Sequence, residues 1–305
     1  MRLLRDPGEA GPCVLVLGAF DGIHRGHQVL LMTGGALAEK YGVPLQVCCF
    51  DPHPVAVLFP ERAPGLLTTL PEKAELMAGF GVDALCVMTF TRAFAGQSPE
   101  EYLETVWETF HPRAVVCGFN FTFGDRGRGN EETLRTWGEK NGVEIAVVPE
   151  FRLDGETVSS TRVRRLLQKG DIHAATVCLG HSYTLSGPVQ GGKHVGHTLG
   201  FPTANVSVSA RKLLPAYGVY SAWLETEDAV YPCVLNVGTQ PTVPSGKVTV
   251  EAFVLSGDVE LYGKNVRLSL LNYQRPEQRF GSLEELQRQI TADAEEATRF
   301  FAEME

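Results

Sequence analysis

Two histidines three residues apart, His24 and His27, close the segment GAFDGIHRGH (Gly18 to His27), and their type and spacing suggest chemistry first. At a helix start that spacing lets both imidazoles face one bound triphosphate, and the free N–H groups and dipole there favour the same anion. Gly18 and Gly22 let backbone approach such a ligand closely. A second set, Ser159, Ser160 and Thr161 with Arg162, Arg164 and Arg165, lies in VSSTRVRRLLQKGD. Cations in the first turns of a helix oppose its dipole, a conflict that a docked polyphosphate resolves.

A third set lies further on. GPVQGGKHVGHTLGFPTANV (Gly187 to Val206) places five glycines, Gly191, Gly196 and Gly200 among them, ahead of Pro202, Thr203 and Asn205. The loop can wrap phosphates without being a P-loop, since G-x-x-x-x-G-K-[ST] is absent. The Thr203 hydroxyl and Asn205 amide oxygen are hard donors that suit Mg²⁺. Glu251 stands in the apolar run VEAFVL, where a carboxylate is costly unless paired or working. Each set has a plain structural alternative: core or surface histidines, a solvated basic face, an ordinary glycine-rich turn, an edge-exposed glutamate.

These residues need strands and turns to place them. Strand candidates are Val14–Leu17, Pro44–Phe50, Ala84–Met88, Ala114–Cys117 and Val143–Val148, with helices between them at Gln28–Tyr41, Pro71–Gly79, Pro99–Phe110 and Glu131–Asn141. Val29, Leu30, Ala36 and Leu37 suit one face of the first helix. The rhythm predicts an α/β domain with a parallel, Rossmann-like sheet and ligands at the carboxyl ends of its strands. At those ends stand FDPHP (Phe50 to Pro54), whose prolines stiffen one wall of a pocket, and the glycine-rich NFTFGDRGRGN (Asn120 to Asn130). Ser159 or Ser160 can cap the helix that follows. Helical period fades near Gly180, which divides the chain into 1–180 and 181–305. The runs His181–Ser186, Gly218–Leu224, Ala229–Val237, Thr249–Leu255 and Val266–Tyr273 then predict a small antiparallel β-barrel. Ser282 and Glu285 form a capping-box pattern for a closing helix with Leu283, Leu286, Ile290, Ala294 and Ala297 against the barrel.

Composition narrows the classes. With 305 residues, two domains are the natural expectation. A net charge of -9 argues against a nucleic-acid surface. No run approaches the roughly 20 apolar residues of a membrane span, and MRLLRDPGEAG lacks a signal-peptide core. Seven cysteines without a C-x-x-C pair read as reduced core thiols of a cytoplasmic protein. Nothing in the sequence speaks to oligomeric state.

In order and spacing, GAFDGIHRGHQ, FDPHP, GFNFTFG and SSTRVR resemble the N-terminal half of the prokaryotic bifunctional riboflavin kinase/FMN adenylyltransferase (FAD synthetase) family, and the first is similar to the H-x-G-H signature of nucleotidylyltransferases. G-x-x-L-G-F-P-T-A-N, NVGTQPT (Asn236 to Thr242) and VEAFVL resemble the kinase half. The resemblance implies a bifunctional enzyme acting on ATP, riboflavin and FMN, with FMN and FAD as products, Mg²⁺ as cofactor and small molecules as its partners. It implies that His24 and His27 are catalytic and that Gly18, Phe20, Asp21 and Gly26 contact ATP with them. Ser159, Ser160, Thr161 and Arg164 then bind phosphate, while Asn120 and Phe123 place the flavin beside Pro52 and Pro54. In the kinase half Glu251 is the implied base, Gly191, Gly196, Gly200 and Pro202 the phosphate loop, Thr203 and Asn205 the metal pair, and Arg275 and Glu277 a flavin-side loop. The chain departs from the pattern at His197 and Gln240, where arginine is usual, and in QGGKHVG, which lacks a His-Gly-Asp element. Two alternatives stand beside this reading: a different acceptor, such as pantetheine phosphate or nicotinamide mononucleotide, and a flavin-binding barrel without turnover.

Overall fold

Four apolar residues, Val14–Leu17, form β2, which is buried on both faces as a central parallel strand must be. The structure, a computed structural model, describes residues 1–8, 10–191, 203–239, 248–255 and 259–304. They divide into two compact units, Met1–Ser160 and Thr161–Glu305.

In the first unit a six-stranded parallel sheet comprises β1 (Arg2–Arg5), β2, β3 (Leu45–Phe50), β4 (Ala84–Met88), β5 (Ala114–Gly118) and β6 (Glu144–Val148). Their order is β1-β4-β3-β2-β5-β6. From β2 the chain therefore builds outward first through β3 and β4, then on the other side through β5 and β6. The carboxyl end of β2 is the switch point at which such sheets open a crevice for ligands. β1 was not expected: the alternation in RLLR is too short to read as a strand, and only pairing with β4 makes it one.

Helices α1 (Arg25–Tyr41), α3 (Leu70–Gly79), α5 (Pro99–Phe110) and α6 (Glu131–Asn141) flank the sheet, and α2 (Pro54–Leu58) and α4 (Arg92–Ala95) are single short turns. The buried line of α1 is Leu30, Leu31, Gly34 and Ala38, with Val29 and Leu37 only partly covered. Gly34 explains the shift from the expected face. A Cβ there would stand 2.6 Å from Val16 Cγ2, so its absence lets the helix backbone approach the sheet. Hairpin β7 (Arg152–Leu153) and β8 (Glu156–Thr157) leads into α7 (Ser160–Gln168).

The second unit carries a closed antiparallel barrel in the order β10-β13-β12-β11-β14-β9. Its strands are β9 (Tyr183–Gln190), β10 (Thr203–Val206), β11 (Gly218–Glu225), β12 (Val230–Thr239), β13 (Val248–Val254) and β14 (Asn265–Pro276). Leu185, Tyr220, Leu224, Leu235 and Leu268, all 0% exposed, fill its interior. The closing helix α9 (Leu283–Ala302) starts at the Ser282 cap and lays Ala297 and Phe301 on the outer face, against Val219, Val234 and Trp223. β10 joins the five expected strands from the end of the glycine-rich segment. The units divide ahead of the expected Gly180 boundary because α7 and α8 (Ile172–Leu179) pack with the barrel. The Ala216 N–H donates to the Leu167 carbonyl, and Gly170, at φ +77, lies against the Tyr273 ring.

Candidate active sites

The turn after β2 is built from strained backbone. Phe20, Gly22 and Ile23 have φ values of 51, 89 and 40, an arrangement that persists only where the surroundings over-determine it. Much of that determination comes from Asp21, which is 3% exposed. Its carboxylate accepts from the N–H groups of Leu67 and Thr68 and from the Thr68 hydroxyl, and the Gly22 N–H donates to that same hydroxyl oxygen. The Phe20 ring is in the core, which leaves its backbone for a ligand. A Cβ on Gly18 would stand 3.0 Å from that ring, and one on Gly26 would stand 3.3 Å from the His24 imidazole. These glycines thus let the rings sit close beneath the turn.

His24 caps α1. Its Nδ1 accepts from the His27 N–H at 3.3 Å, so Nε2 carries the proton of the neutral ring. The two imidazoles stack at a centroid distance of 3.6 Å, and Phe20 lies 5.1 Å from His27. His27 Nδ1 is buried and has no hydrogen-bond partner among the described residues. Burial, then His24, then Lys73 hold the His27 pKa well below the ordinary histidine value, so the ring is neutral at neutral pH. It can donate a hydrogen bond to a phosphate but brings no full charge. Ser160, the first residue of α7, donates from its hydroxyl to the Asp21 carbonyl at 2.8 Å rather than capping the helix. Thr161 and Arg164 follow on α7 in the second unit, where Val163 and Leu167 form its buried side.

Of the flavin-side expectations, Asn120 lines an open groove of about 620 Å³ with Phe119, Phe121 and the outer face of α6. Phe123 is a core residue, 5% exposed, packed on Tyr102 and Phe121. Pro52, after a cis peptide bond, and Pro54, at the first position of α2, do not line that groove.

In the barrel, register gathers residues that are distant in sequence. Asn205 on β10 lies opposite Glu251 on β13, and Glu251 lies opposite Asn236 on β12. Directly opposed residues share a face, as do Thr203 and Asn205 two apart on one strand. Their neighbours Ala204, Val250, Ala252 and Leu235 are buried inside, so the row is on the outer face and half-buried. Solvent therefore relieves the burial cost weighed for Glu251. The hydroxyl, carboxamide and carboxylate oxygens of this row suit Mg²⁺, which takes few protein ligands and keeps waters and phosphate oxygens. No group of three His, Cys, Asp or Glu that could hold a metal occurs among the described residues. Gly191 follows the end of β9, where a Cβ would meet the Tyr262 ring at 3.7 Å, whereas Gly196, His197, Gly200, Pro202 and Gln240 lie outside the described residues.

Arg275 and Glu277 are both engaged by the protein. Arg275 forms a two-pronged pair with Asp293 of α9, Nε to Oδ1 at 2.8 Å and Nη2 to Oδ2 at 2.7 Å. The Thr239 hydroxyl reaches both Glu277 oxygens, at 3.5 and 3.4 Å, and that carboxylate packs against Gly238 where a Cβ would intrude.

A phosphate-suited turn at a sheet switch point, followed by a barrel with a carboxylate between two amides, has counterparts in known proteins. The FAD synthetase family model matches residues 6–162, and the riboflavin kinase model matches residues 179–301. The chain belongs to the bifunctional riboflavin kinase/FMN adenylyltransferase family. Relatives of that name from Listeria monocytogenes and Escherichia coli are 33% and 35% identical, over 96% and 95% of this chain and 93% of each relative. A solved structure described as a macrolide-efflux protein from Streptococcus pneumoniae is 29% identical, with a TM-score of 0.88, covering 98% of this chain and 99% of that one. No helix among the described residues of this chain is long and apolar enough to cross a membrane.

Sequence reasoning passed over several residues that the structure places at or beside the candidate sites. Asn236 opens NVGTQPT but shows its place only through strand register. Asp293 left a readable signal: it falls on the apolar spacing Ile290, Ala294, Ala297 of the closing helix, where a carboxylate needs a partner. Leu67, Thr68 and Lys73 carried no signal before the turn after β2 folded against them.

Proposed function

We propose that this chain makes FAD in two ATP-dependent steps, phosphorylating riboflavin to FMN in the barrel module and adenylylating FMN in the sheet module. The observation that carries the reading is one chain with His24 and His27 stacked at the sheet switch point and Glu251 between Asn205 and Asn236 on the barrel. The functional boundary falls near Gly180, giving modules 1–180 and 181–305, a division supported by the start of the kinase match at residue 179.

In the first reaction the terminal ribityl hydroxyl attacks the γ-phosphorus of ATP, its proton passes to the Glu251 carboxylate, and ADP leaves. Thr203 and Asn205 would hold Mg²⁺, which supplies charge neutralisation on the phosphates. Gly191, Gly196, Gly200 and Pro202 are assigned to binding those phosphates. In the second reaction an FMN phosphate oxygen attacks the α-phosphorus and the bond to the β-phosphate breaks, releasing pyrophosphate. His24 and His27 donate hydrogen bonds to charge that develops there. The backbone of Gly18, Phe20 and Gly26 lies against ATP, and Asp21 acts by holding the turn in shape. Ser159, Ser160, Thr161 and Arg164 serve the phosphates. Asn120 meets the flavin, Phe123 sets the aromatic wall behind it, and Pro52 and Pro54 stiffen the flavin side. Arg275 and Glu277 shape the kinase flavin side through the helix and strand they tie. The reading places the enzyme in the cytoplasm with small-molecule substrates and neither nucleic acid nor membrane as partner.

Incubation with riboflavin, ATP and Mg²⁺, with products resolved by chromatography, should yield FMN and then FAD. FAD from supplied FMN but never from riboflavin would leave a flavin-binding barrel without turnover, and neither product would end the reading. Glu251→Gln removes the base while keeping size, so FMN formation should fall about 10²- to 10⁴-fold. Adenylylation of supplied FMN should stay near wild type. Equal loss of both activities would show that the two-site division is wrong.

A further inference from the structure

We propose that Lys73 is a catalytic cation of adenylyl transfer, its ammonium contacting the ATP phosphates held in the turn after β2. The proposal rests on the adenylyl-transfer reading of that site. Lys73 is on the second turn of α3 and only 8% exposed. Its Nζ donates to the Ala19 carbonyl at 2.7 Å. Among the described residues it makes no ion pair and no second side-chain hydrogen bond, so an ammonium with three donors meets one neutral acceptor. A buried charge in that condition is expensive and is retained where something else supplies the anion.

Its surroundings indicate which anion. Ala19 is an exposed residue between Gly18 and Phe20, in the turn itself. The segment ahead of α3 is locked to this turn by the Asp21 carboxylate on the Leu67 and Thr68 N–H groups and by the Gly22 N–H on Thr68. Lys73 therefore stands at a fixed place beside the backbone assigned to ATP. Its charge is felt at His27, one of the causes that hold that ring neutral. With His27 acting as a neutral donor, the charge gathering on the α-phosphate and the departing pyrophosphate needs a cation beside the same turn. Lys73 supplies it while the new oxygen–phosphorus bond forms, the α–β bridge breaks, and the electron pair leaves on pyrophosphate.

The test uses the full-length protein. Lys73→Met keeps the length of the side chain and removes its charge. FAD formation from supplied FMN should fall about 10²-fold or more, mainly in kcat, while FMN formation from riboflavin is kept. The melting temperature without ligand should hold or rise, and the increase that saturating pyrophosphate gives the wild type should disappear. Lys73→Arg should recover part of both losses. A lower melting temperature with unchanged adenylyl transfer and an unchanged pyrophosphate effect would confine Lys73 to bracing Ala19 and overturn the proposal. Failure of both Lys73→Met and Lys73→Gln to fold, with Lys73→Arg folding but insensitive to pyrophosphate, would overturn it as well. Wild-type protein that made no FAD from FMN and ATP would instead defeat the adenylyl-transfer reading, whatever Lys73→Met did.

Discussion

His27 illustrates how the site sets the state of its own residues. A histidine in an unfolded chain takes up its proton near pH 6.5, whereas burial, His24 and Lys73 keep folded His27 neutral far lower. Between those two values the unfolded state binds more protons, so falling pH draws the protein toward it. Stability contributed by neutral His27 is therefore full above about pH 6.5 and is lost progressively below it. Urea unfolding of His27→Gln should show a shallower loss of stability between pH 7 and pH 5 than the wild type. Superimposable pH profiles would mean that the ring takes up its proton in the fold as readily as in the unfolded chain. In the same family of variants, His27→Ala should lower FAD formation about 10²-fold or more and spare FMN formation, since the proposed function assigns the two reactions to different residues.

At the scale of elements, polar pins decide how helices meet sheets. The Arg275–Asp293 fork joins α9 to β14, with Asp293 only 4% exposed and also accepting from Gln289 at 2.9 Å. Removing one partner of a buried pair leaves the other charge uncompensated. Asp293→Ala should then cost about 3 kcal/mol, measured by urea unfolding. Replacing both together, Arg275→Met with Asp293→Leu, should restore much of that loss. A double variant as unstable as the single one would show that packing around α9, not charge, sets its stability. Gly34 does the opposite kind of work in α1: it removes a side chain so that helix and sheet can touch, against the intrinsic preference of a helix for alanine.

Across the whole molecule, chemistry and packing draw slightly different boundaries. α7 and α8 belong by packing to the barrel, with the Leu167 carbonyl on the Ala216 N–H and Gly170 under Tyr273. A fragment of residues 161–305 should therefore melt higher than one of residues 181–305, while both phosphorylate riboflavin and neither makes FAD. Equal melting temperatures would show that α7 and α8 add nothing to the barrel. All seven cysteines are buried and free, and burial pushes the Cys13 thiol up to about 12, which suits packing groups rather than nucleophiles.

Much of this was legible in the residues themselves. Strand and helix periods, the glycines and histidines of the first turn, the capped closing helix and the change of rhythm near Gly180 are local patterns, and local patterns survive in a linear text. Partner identity does not. Lys73 meets Ala19 54 positions away because the segment ahead of α3 folds back on Asp21. Asn205, Glu251 and Asn236 form one row because barrel closure fixes the register of β10, β13 and β12, and a slip of one residue would turn Glu251 inward. β1 is a strand only because β4 offers an edge, and Asp293 is tolerable on an apolar helix face only because Arg275 arrives from another strand. The sequence by itself determined which residues could do chemistry and the periods of the elements that bear them. Tertiary structure decided which charges would be buried together, since burial and pairing energies exist only once distant segments close on each other.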